Sequence, residues 1–428
     1  MSDPLRLGIA GLGTVGAGVV KIVRQKAALI EARTGRRIEI SAVSARNRDK
    51  DRGVPLTSYA WEDDPVALAA RDDVDVFVEL MGGSDGPAKA ATEAALRAGK
   101  DVVTANKAML AHHGQALAEQ AEAQGAVLRF EAAVAGGIPV IKALTEGLAG
   151  NDITRVMGVM NGTCNYILTR MESGGLTYDQ AFAEADGLGY LEADPELDVG
   201  GIDAGHKLSL LAAIAYGTQV AFDGVELEGI GRVSIEDIRQ ASDMGYKIKL
   251  LGVCRLTGRG LEQSMMPCLV PSTSPLGQLD GGTNMVVIEG DQVGQIVMRG
   301  AGAGEGPTAS AVMGDVMDIA RGTRLSTFGA PASTLVKAVP AKATTPAPYY
   351  LRMALADRPG ALAKVAAALG EAGISINRMR QYDHVAEAAP VLIVTHKTTR
   401  AALDAALSAM PGTGVVQGTP VALRIEQV

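Results

Sequence analysis

Residues 5–16, LRLGIAGLGTVG, decide the fold of the N-terminal part of the chain. The apolar run 5–10 predicts a buried strand, and a turn with the spacing G-x-G-x-x-G follows it and opens a helix. In such a turn the first glycine allows a tight bend, the second lets the backbone approach a pyrophosphate, and the third allows close packing of helix on strand. The N–H groups at the helix N-terminus favour phosphates. The stretch therefore predicts a dinucleotide site, with a purely structural turn as the alternative, at Gly11, Leu12, Gly13, Thr14, Val15 and Gly16.

Short apolar runs and helical patterns continue to alternate as far as residue 131. Further strands are predicted at 38–44, 74–80, 101–104 and 127–131, and helices at 87–98 and 109–124. This alternation indicates βαβ units, so we predict an α/β fold whose first domain, residues 1–131, is a Rossmann-type parallel sheet. A helix at 307–325 is expected to pack back on this domain and complete it.

Two further units follow the first domain. Residues 132–306 predict an α+β domain, with helices at 139–148, 165–173, 178–187 and 203–217 and strands at 249–253, 264–270 and 285–289. Residues 330–348 contain four prolines and predict an extended linker. The last unit, residues 349–428, has the order βαββαβ, which is typical of a ferredoxin-like domain.

Composition excludes several classes of function. The chain has 428 residues and a formal net charge of −8, so it has no basic excess with which to bind nucleic acid. No apolar run approaches the roughly 18 residues that a membrane helix needs, and the polar N-terminus shows no secretory signal. The three cysteines have no C-x-x-C spacing, which favours reduced thiols. We therefore expect a cytoplasmic protein.

The end of the second strand bears on the choice of dinucleotide. In sites specific for NAD an acidic residue at this position binds the ribose 2′-hydroxyl. Here the sequence is SARNR, residues 44–48, without a carboxylate. The basic residues suit a 2′-phosphate and predict NADP(H) as the preferred cofactor, with NAD(H) possible. The alternative is that Arg46 and Arg48 are solvated loop charges.

The segment 189–207, GYLEADPELDVGGIDAGHK, crowds carboxylates and glycines before an apolar helix. Asp203 and Lys207 are four residues apart, so they share one helix face; an ordinary surface pair is the alternative. His206 is offset by about 100° from Lys207 and is expected to face elsewhere, which argues against a catalytic base. His112 and His113 are expected at the surface.

This segment resembles the motif of homoserine dehydrogenases, G-Y-x-E-x-D-P-x-x-D-x-x-G-x-D-x-x-x-K. Four further stretches match the family in order: residues 11–16, 104–107 (TANK), 130–139 (FEAAVAGGIP) and 161–168 (NGTCNYIL). The resemblance covers about residues 5–325. The tail, with DRPGAL at 357–362, is similar to an ACT domain, so the chain resembles the monofunctional members of the family that carry one.

The resemblance implies the interconversion of L-homoserine and L-aspartate 4-semialdehyde by hydride transfer with NAD(P), in threonine, methionine and isoleucine biosynthesis. Reduction of an aldehyde creates an alkoxide that needs a proton, and an ammonium can stabilise and protonate it. The resemblance assigns proton donation to Lys207, with Lys107 as its partner and Asp203 orienting it. It assigns substrate binding to Glu192, Asp198 and Asp203, and cofactor contacts, besides the glycine turn and Arg46, to Thr104, Lys107 and Gly302.

The family also suggests a structural monovalent cation, usually sodium, at Glu131, Val134, Gly136 and Ile138, bound mostly by main-chain carbonyls. It implies a homodimer or homotetramer formed through residues 132–306, and feedback inhibition by L-threonine through the tail. Deletion of 345–428 would then leave catalysis largely intact. A tail used only for dimer packing is the alternative.

Two other functions stay open at this point. One is a different amino-acid or aldehyde dehydrogenase on the same scaffold, against which the set Glu192, Asp203 and Lys207 argues. The other is a non-catalytic amino-acid sensor, which predicts the loss of Lys107 or Lys207, and both are present.

Overall fold

The structure is a computed structural model that describes residues 3–191, 194–342, 345–381 and 388–428. Its first sheet is parallel and has six strands among these residues. Its strands are β1 (Leu5–Ala10), β2 (Ile38–Ser44), β3 (Ala60–Trp61), β4 (Val76–Glu79), β5 (Asp101–Thr104) and β6 (Leu128–Arg129). They run parallel in the order β3-β2-β1-β4-β5-β6. This is the strand order of a Rossmann sheet, and the predicted fold class is confirmed.

Helices cover both faces of this sheet, as a buried parallel sheet requires. They are α1 (Thr14–Gln25), α2 (Ala27–Thr34), α3 (Pro65–Ala70), α4 (Pro87–Arg97) and α5 (Lys107–Ala123). Local sequence fixes where they begin. Asp64 caps α3 by accepting a hydrogen bond from the N–H of Val66, and Pro65 occupies the first turn.

The second part of the chain forms a mostly antiparallel sheet with helices against it. Its strands are β7 (Ile153–Val159), β8 (Glu226–Leu227), β9 (Tyr246–Thr257), β10 (Gly260–Pro271), β11 (Thr283–Gly290) and β12 (Gly294–Ala301). Its helices are α6 (Val140–Lys142), α7 (Gly162–Gly174), α8 (Tyr178–Gly187), α9 (Pro195–Val199), α10 (Ile202–Tyr216), α11 (Ile235–Asp243) and α12 (Glu305–Ala320).

Several predicted elements differ from the structure. The helix expected at 139–148 is α-helical only over Val140–Lys142 and continues as a π-helical turn, Ala143–Gly147. The strands β7 and β12 and the short helices α9 and α11 were not predicted. The strands expected at 249–253 and 264–270 are the central parts of a twelve-residue hairpin pair, β9 and β10.

The helix α12 returns to the first sheet, as the sequence suggests. A Cβ on Gly18 of α1 would lie 2.8 Å from the Glu305 side chain and 3.0 Å from Ala309, so only a glycine allows the two helices this close. Lys21 forms an ion pair with Glu305 at 2.7 Å. The residues just before α12 form a second glycine cluster, Gly300, Gly302 and Gly304, which is thereby held near the glycine turn.

The C-terminal unit joins the same sheet as the second part of the chain. After the short strand β13 (Pro340–Ala341), its elements are β14 (Tyr349–Ala356), α13 (Ala361–Glu371), β15 (Ile376–Gln381), β16 (Ala388–Thr395), α14 (Arg400–Ala409) and β17 (Val416–Ile425). The predicted order βαββαβ is confirmed. Among the described residues this sheet has eleven strands, in the order β12-β11-β7-β9-β10-β17-β14-β16-β15, with β8 and β13 also paired to β10.

No helix in the described part of the chain is both long and apolar enough to span a bilayer.

Candidate active site

The glycine turn has the steric features of a phosphate cradle. Gly11 has φ +97°, and a Cβ there would lie 2.4 Å from the carbonyl oxygen of Leu80. A Cβ on Gly16 would lie 2.1 Å from the oxygen of Gly11. A Cβ on Gly13, in contrast, would meet nothing within 4 Å. The middle glycine therefore faces open space at the N-terminus of α1, where a pyrophosphate could approach the backbone.

A cavity of about 560 Å³ lies beside this turn, between the two parts of the chain. It is lined by seven residues that the sequence singles out: Val15, Lys107, Val134, Asp198, Asp203, Lys207 and Gly302. Residues that the sequence did not assign individually also line it, among them Asn161, Tyr190, Gly282 and Asn284. The cavity is large enough for a small substrate together with part of a dinucleotide.

Two lysines converge on one carboxylate in this cavity. The Nζ of Lys207 donates to Asp203 Oδ2 at 2.6 Å and to the carbonyl oxygen of Met160 at 2.9 Å. The Nζ of Lys107 lies 2.9 Å from Asp203 Oδ1. Burial would raise the pKa of the Asp203 carboxyl, but the two ammonium groups outweigh it and hold that pKa well below its ordinary value. Asp203 therefore stays ionised and fixes both lysines.

The start of α5 sets the position of Lys107. The side chain of Asn106 accepts a hydrogen bond from the N–H of Met109 at 3.0 Å and donates to the oxygen of Gly83 at 2.7 Å. Thr104 is fully buried; its hydroxyl donates to Glu79 at 2.6 Å and accepts from the N–H of Asn106 at 2.9 Å. The Thr104 side chain thus helps to fix the start of α5 and, with it, Lys107. Because this side chain is buried and already hydrogen-bonded, a cofactor contact at Thr104 would have to come from its main chain.

Asn161 connects the start of α7 to the acidic residues. Its Oδ1 caps the helix by accepting from the N–H of Cys164 at 2.8 Å. Its Nδ2 donates to Asp198 Oδ1 at 2.8 Å and reaches Asp203 Oδ2 at 3.5 Å. The sequence places this stretch within the family resemblance but assigns no role to Asn161 itself. The N-cap pattern of an asparagine before an apolar helix was the available signal, but the contacts to residues 198 and 203 leave no local trace.

The acidic segment is built around two helix starts. Asp194 accepts from the N–H of Glu196 at the start of α9, and Gly201, with φ +81°, allows the chain to turn into α10. Tyr190 lines the cavity, and its carbonyl oxygen accepts from the Thr163 hydroxyl at 2.9 Å. Glu192, predicted to bind substrate, lies outside the described residues.

His206 does not belong to the charged centre, in line with its predicted orientation. Its ring packs 4.3 Å from that of Phe222 and 5.6 Å from that of His112. Burial lowers the pKa of His206 to about 4, so the ring is neutral at physiological pH. Of the other two histidines considered above, His112 is exposed, and His113 pairs with Asp85 at 2.9 Å.

Arg46 is exposed directly beyond the end of β2. Two further arginines lie in the same loop: the guanidinium groups of Arg48 and Arg52 sit 5.7 and 5.8 Å from the centre of the Trp61 ring. Arg52 Nε also donates to the carbonyl oxygen of Leu12 at 2.9 Å, which braces the glycine turn. The sequence did not identify this contact, because it joins residues forty positions apart.

The predicted cation loop has a defined side-chain arrangement. The buried carboxylate of Glu131 accepts from the N–H groups of Ile141 and Lys142 at 3.0 and 2.8 Å. Burial, reinforced by Asp315, raises the pKa of Glu131 to about 7. Among the described residues, no group of three or more His, Cys, Asp or Glu side chains could hold a metal ion. A cation here would therefore depend on main-chain carbonyls, such as those of Val134 and Gly136.

Fold and site together define a dinucleotide-dependent oxidoreductase, and comparison with known proteins names the family. Residues 11–131 match the family model "Homoserine dehydrogenase, NAD binding domain", residues 139–317 match "Homoserine dehydrogenase", and residues 349–411 match "ACT domain". The chain is 42% identical over 433 residues to homoserine dehydrogenase of Neisseria gonorrhoeae, with 99% of each chain covered. The chain belongs to the homoserine dehydrogenase family.

Solved structures agree with this assignment. A homoserine dehydrogenase from Thiobacillus denitrificans superposes with a TM-score of 0.94 at 38% identity and 99% coverage of both chains. A hyperthermophilic archaeal homoserine dehydrogenase in complex with NADPH superposes with a TM-score of 0.65 at 27% identity, covering 75% of this chain and 99% of that one. The nicotinamide dinucleotide site and the C-terminal ACT unit are thus shared with known relatives.

Proposed function

We propose that the chain interconverts L-homoserine and L-aspartate 4-semialdehyde in the route to threonine, methionine and isoleucine. The observation that carries this proposal is the convergence of Lys107 and Lys207 on Asp203, in a cavity that opens onto the glycine turn. Reduced nicotinamide, when bound, supplies the hydride for the aldehyde carbon. The residues described below bind, orient and protonate the reacting groups.

Lys207 is the proposed proton donor to the developing alkoxide. Its amine is held by Asp203 and by the carbonyl oxygen of Met160, so it is oriented before the substrate arrives. In homoserine oxidation the same amine would accept the hydroxyl proton. Lys107 adds a second positive charge beside the oxygen, where a preorganised cation stabilises negative charge most effectively. Asp203 keeps the two ammonium groups close despite their mutual repulsion.

Glu192 is the proposed partner of the substrate's amino group, and Asp198 and Asp203 are further proposed substrate contacts. Asp198 and Asp203 are 4% and 5% exposed and line the cavity, where a carboxylate is the natural counter-charge for an ammonium. The role of Glu192 rests on its place in the motif alone.

The direct test is homoserine oxidation by the purified protein, followed by the absorbance of reduced nicotinamide with NADP⁺ or NAD⁺ in turn. We expect turnover with L-homoserine and little with L-serine or L-threonine. Comparable rates with those other amino alcohols would favour a different dehydrogenase. Dinucleotide binding without any turnover would favour a sensor and contradict the proposal.

NADP(H) is the proposed preferred cofactor, because the loop after β2 presents Arg46 and Arg48 and no carboxylate where the ribose 2′-position would lie. We expect the dissociation constant for NADP⁺, divided by that for NAD⁺, to rise about tenfold or more in Arg46→Ala, since a phosphate contact by arginine is charge-assisted. An unchanged ratio would indicate that Arg46 is a solvated loop residue that does not contact the cofactor.

A structural sodium ion is proposed at the loop that contains Glu131, Val134, Gly136 and Ile138. Gly136 has φ +53°, and a Cβ there would lie 2.5 Å from the oxygen of Gly302, so this loop packs tightly against the second glycine cluster. Main-chain carbonyl oxygens suit a hard monovalent ion. The melting temperature in sodium chloride, compared with that in tetramethylammonium chloride at equal ionic strength, tests the site.

The C-terminal unit is the proposed receptor for L-threonine, in a homodimer or homotetramer. Gly360, with φ +82°, ends the turn before α13, whose N-terminus could receive an amino acid's carboxylate. Threonine titration of the oxidation rate, with sedimentation velocity for the subunit number, tests both parts. We also propose the domain boundaries. The Rossmann domain comprises residues 1–131 and is completed by 307–325, and the catalytic and dimerisation domain comprises 132–306. The linker is 330–348, and the C-terminal regulatory domain is 349–428.

A further inference from the structure

Lys249 of β9 is a buried cation outside the charged centre. Its side chain is 2% exposed, and its amine donates to Asn165 Oδ1 at 3.0 Å and to the carbonyl oxygen of Leu279 at 2.5 Å. The nearest carboxylate in an ion pair with it is that of the exposed Asp280, at 3.9 Å. Burying an ammonium against neutral oxygens is costly, so a lysine here calls for an explanation beyond packing.

The hydrogen-bond partners of Lys249, Asn165 and Leu279, connect it to the wall of the active-site cavity. Asn165 Nδ2 donates to the carbonyl oxygens of Leu279 and Gly281, at 3.2 and 2.7 Å. Lys249 and Asn165 thus hold the chain just before Gly282 and Asn284, both of which line the cavity. This segment is packed tightly: a Cβ on Gly162 would lie 2.6 Å from the Gly282 oxygen, and one on Gly302 would lie 1.9 Å from Asn284 Nδ2.

Asn165 also connects Lys249 to the charged centre, because it belongs to the first turn of α7. Asn161 and Asn165 are four residues apart, so they lie on one face of the start of this helix. Asn165 holds Lys249, while Asn161 holds Asp198 and approaches Asp203. A shift of the first turn of α7 would therefore move both the cavity wall and the support of Asp203.

We propose that Lys249 is a positioning residue for the dehydrogenase reaction: through Asn165 it fixes the start of α7 and the segment 279–284 against the substrate. The proposal rests on the reaction proposed above. Burial lowers the pKa of Lys249 to about 8, so its amine still carries a proton at neutral pH. Asp280, Lys247 and Glu172 are the charged groups that act on it.

Kinetics of Lys249→Met test the proposal against a matched control, Lys247→Met. Lys247 lies on the same strand and pairs with the same Asp280 and with Glu172, but it is nearer to solvent. We expect Lys249→Met to lower kcat/KM for homoserine at least tenfold per folded molecule, with the dinucleotide dissociation constant within threefold. Lys247→Met should stay within twofold in both. A folded Lys249→Met enzyme with kcat/KM within twofold of the wild type, or an equal loss in Lys247→Met, would overturn the proposal.

A second variant decides the matter if Lys249→Met does not fold. Asn165→Asp keeps an acceptor for Lys249 and removes the two donors that hold Leu279 and Gly281. We expect it to fold and to lose at least tenfold in kcat/KM, and near-normal kinetics would overturn the proposal. A wild-type enzyme inactive on homoserine would instead contradict the proposed function, so the two failures are distinguishable.

Discussion

At the residue scale, the two lysines of the site are held differently. The Lys207 side chain is 12% exposed and rises from inside α10, where it has two fixed acceptors. The Lys107 side chain is 29% exposed and belongs to the first residue of α5. The less exposed amine, that of Lys207, is the one that we propose as proton donor, and the more open amine of Lys107 is the one that we propose to meet substrate and cofactor.

Replacement of Lys207 should therefore separate chemistry from binding. We expect Lys207→Ala to lower kcat by about 10²–10⁴, the usual contribution of a general acid, because the amine that Asp203 and the Met160 carbonyl hold in place is lost. The dissociation constant for the dinucleotide, measured by fluorescence titration, should change less than threefold. Lys207→Arg is the control: it keeps the positive charge but cannot release its proton at neutral pH, so it should be nearly as slow. A near-normal kcat in either variant would reject Lys207 as the donor.

At the element scale, helices α5 and α10 must keep a fixed separation, because each carries one of the two lysines. The rings of His206, His112 and Phe222 pack together between them. Since His206 has a folded-state pKa of about 4, below the ordinary 6.5, the unfolded chain binds its proton first as the pH falls. Its contribution to stability is complete above pH 6.5 and is lost progressively between 6.5 and 4.

We expect His206→Phe to flatten this part of the pH dependence. The wild type should lose at most about 3 kcal/mol through His206 as the pH falls from 6.5 to 4, because each unit of pKa difference corresponds to about 1.4 kcal/mol. Urea unfolding followed by circular dichroism at half-unit pH steps measures this slope. His113→Phe is the control, since His113 pairs with the exposed Asp85. Parallel slopes for wild type and His206→Phe would contradict the assignment.

The elements differ in how well the sequence predicts them, and burial explains why. Strands such as β4 and β5 are short, valine-rich and buried on both faces, so an apolar run marks them. β12 alternates between exposed and half-buried positions and contains glycines, so it gave no clear signal. α11 has one, a capping box of Ser234 and Asp237 before a buried apolar face, which the prediction missed. In the site, the carboxylate–lysine pair follows from spacing and motif. Asn161 and Lys249 do not, because their contacts join residues 30 to 84 positions apart.

At the scale of the whole molecule, the C-terminal unit is joined to the rest by more than a linker. β17 pairs with β10 at Cys268–Arg424 and Leu269–Ile425. Deletion of 345–428, expected from the sequence to leave catalysis largely intact, would therefore expose an edge of the central sheet. It is a poor test of regulation, because loss of activity could follow from damage to that sheet alone.

A buried network of ion pairs also connects the C-terminal unit to the rest of the sheet. It offers a more specific test of this connection than a deletion does. Glu426, 3% exposed, accepts from Arg424 at 2.5 Å, from Arg255 at 2.9 Å and from Arg155 at 3.4 Å. Arg155 and Arg255 belong to β7 and β9, so one carboxylate ties three strands of the sheet together.

Glu426→Gln should leave these arginines without their shared charge. Breaking a buried ion pair from one side costs about 3–5 kcal/mol, so we expect the melting temperature to fall by several degrees or more. Asp404→Asn is the control, because it removes one side of the exposed i, i+4 pair with Arg400, worth about 0.3–0.5 kcal/mol. Differential scanning calorimetry measures both. If Glu426→Gln melts like the wild type, the network does not hold the two units together, and their coupling must rest on other contacts, such as the pairing of β10 with β17 and the ion pair of Arg352 with the buried Asp237.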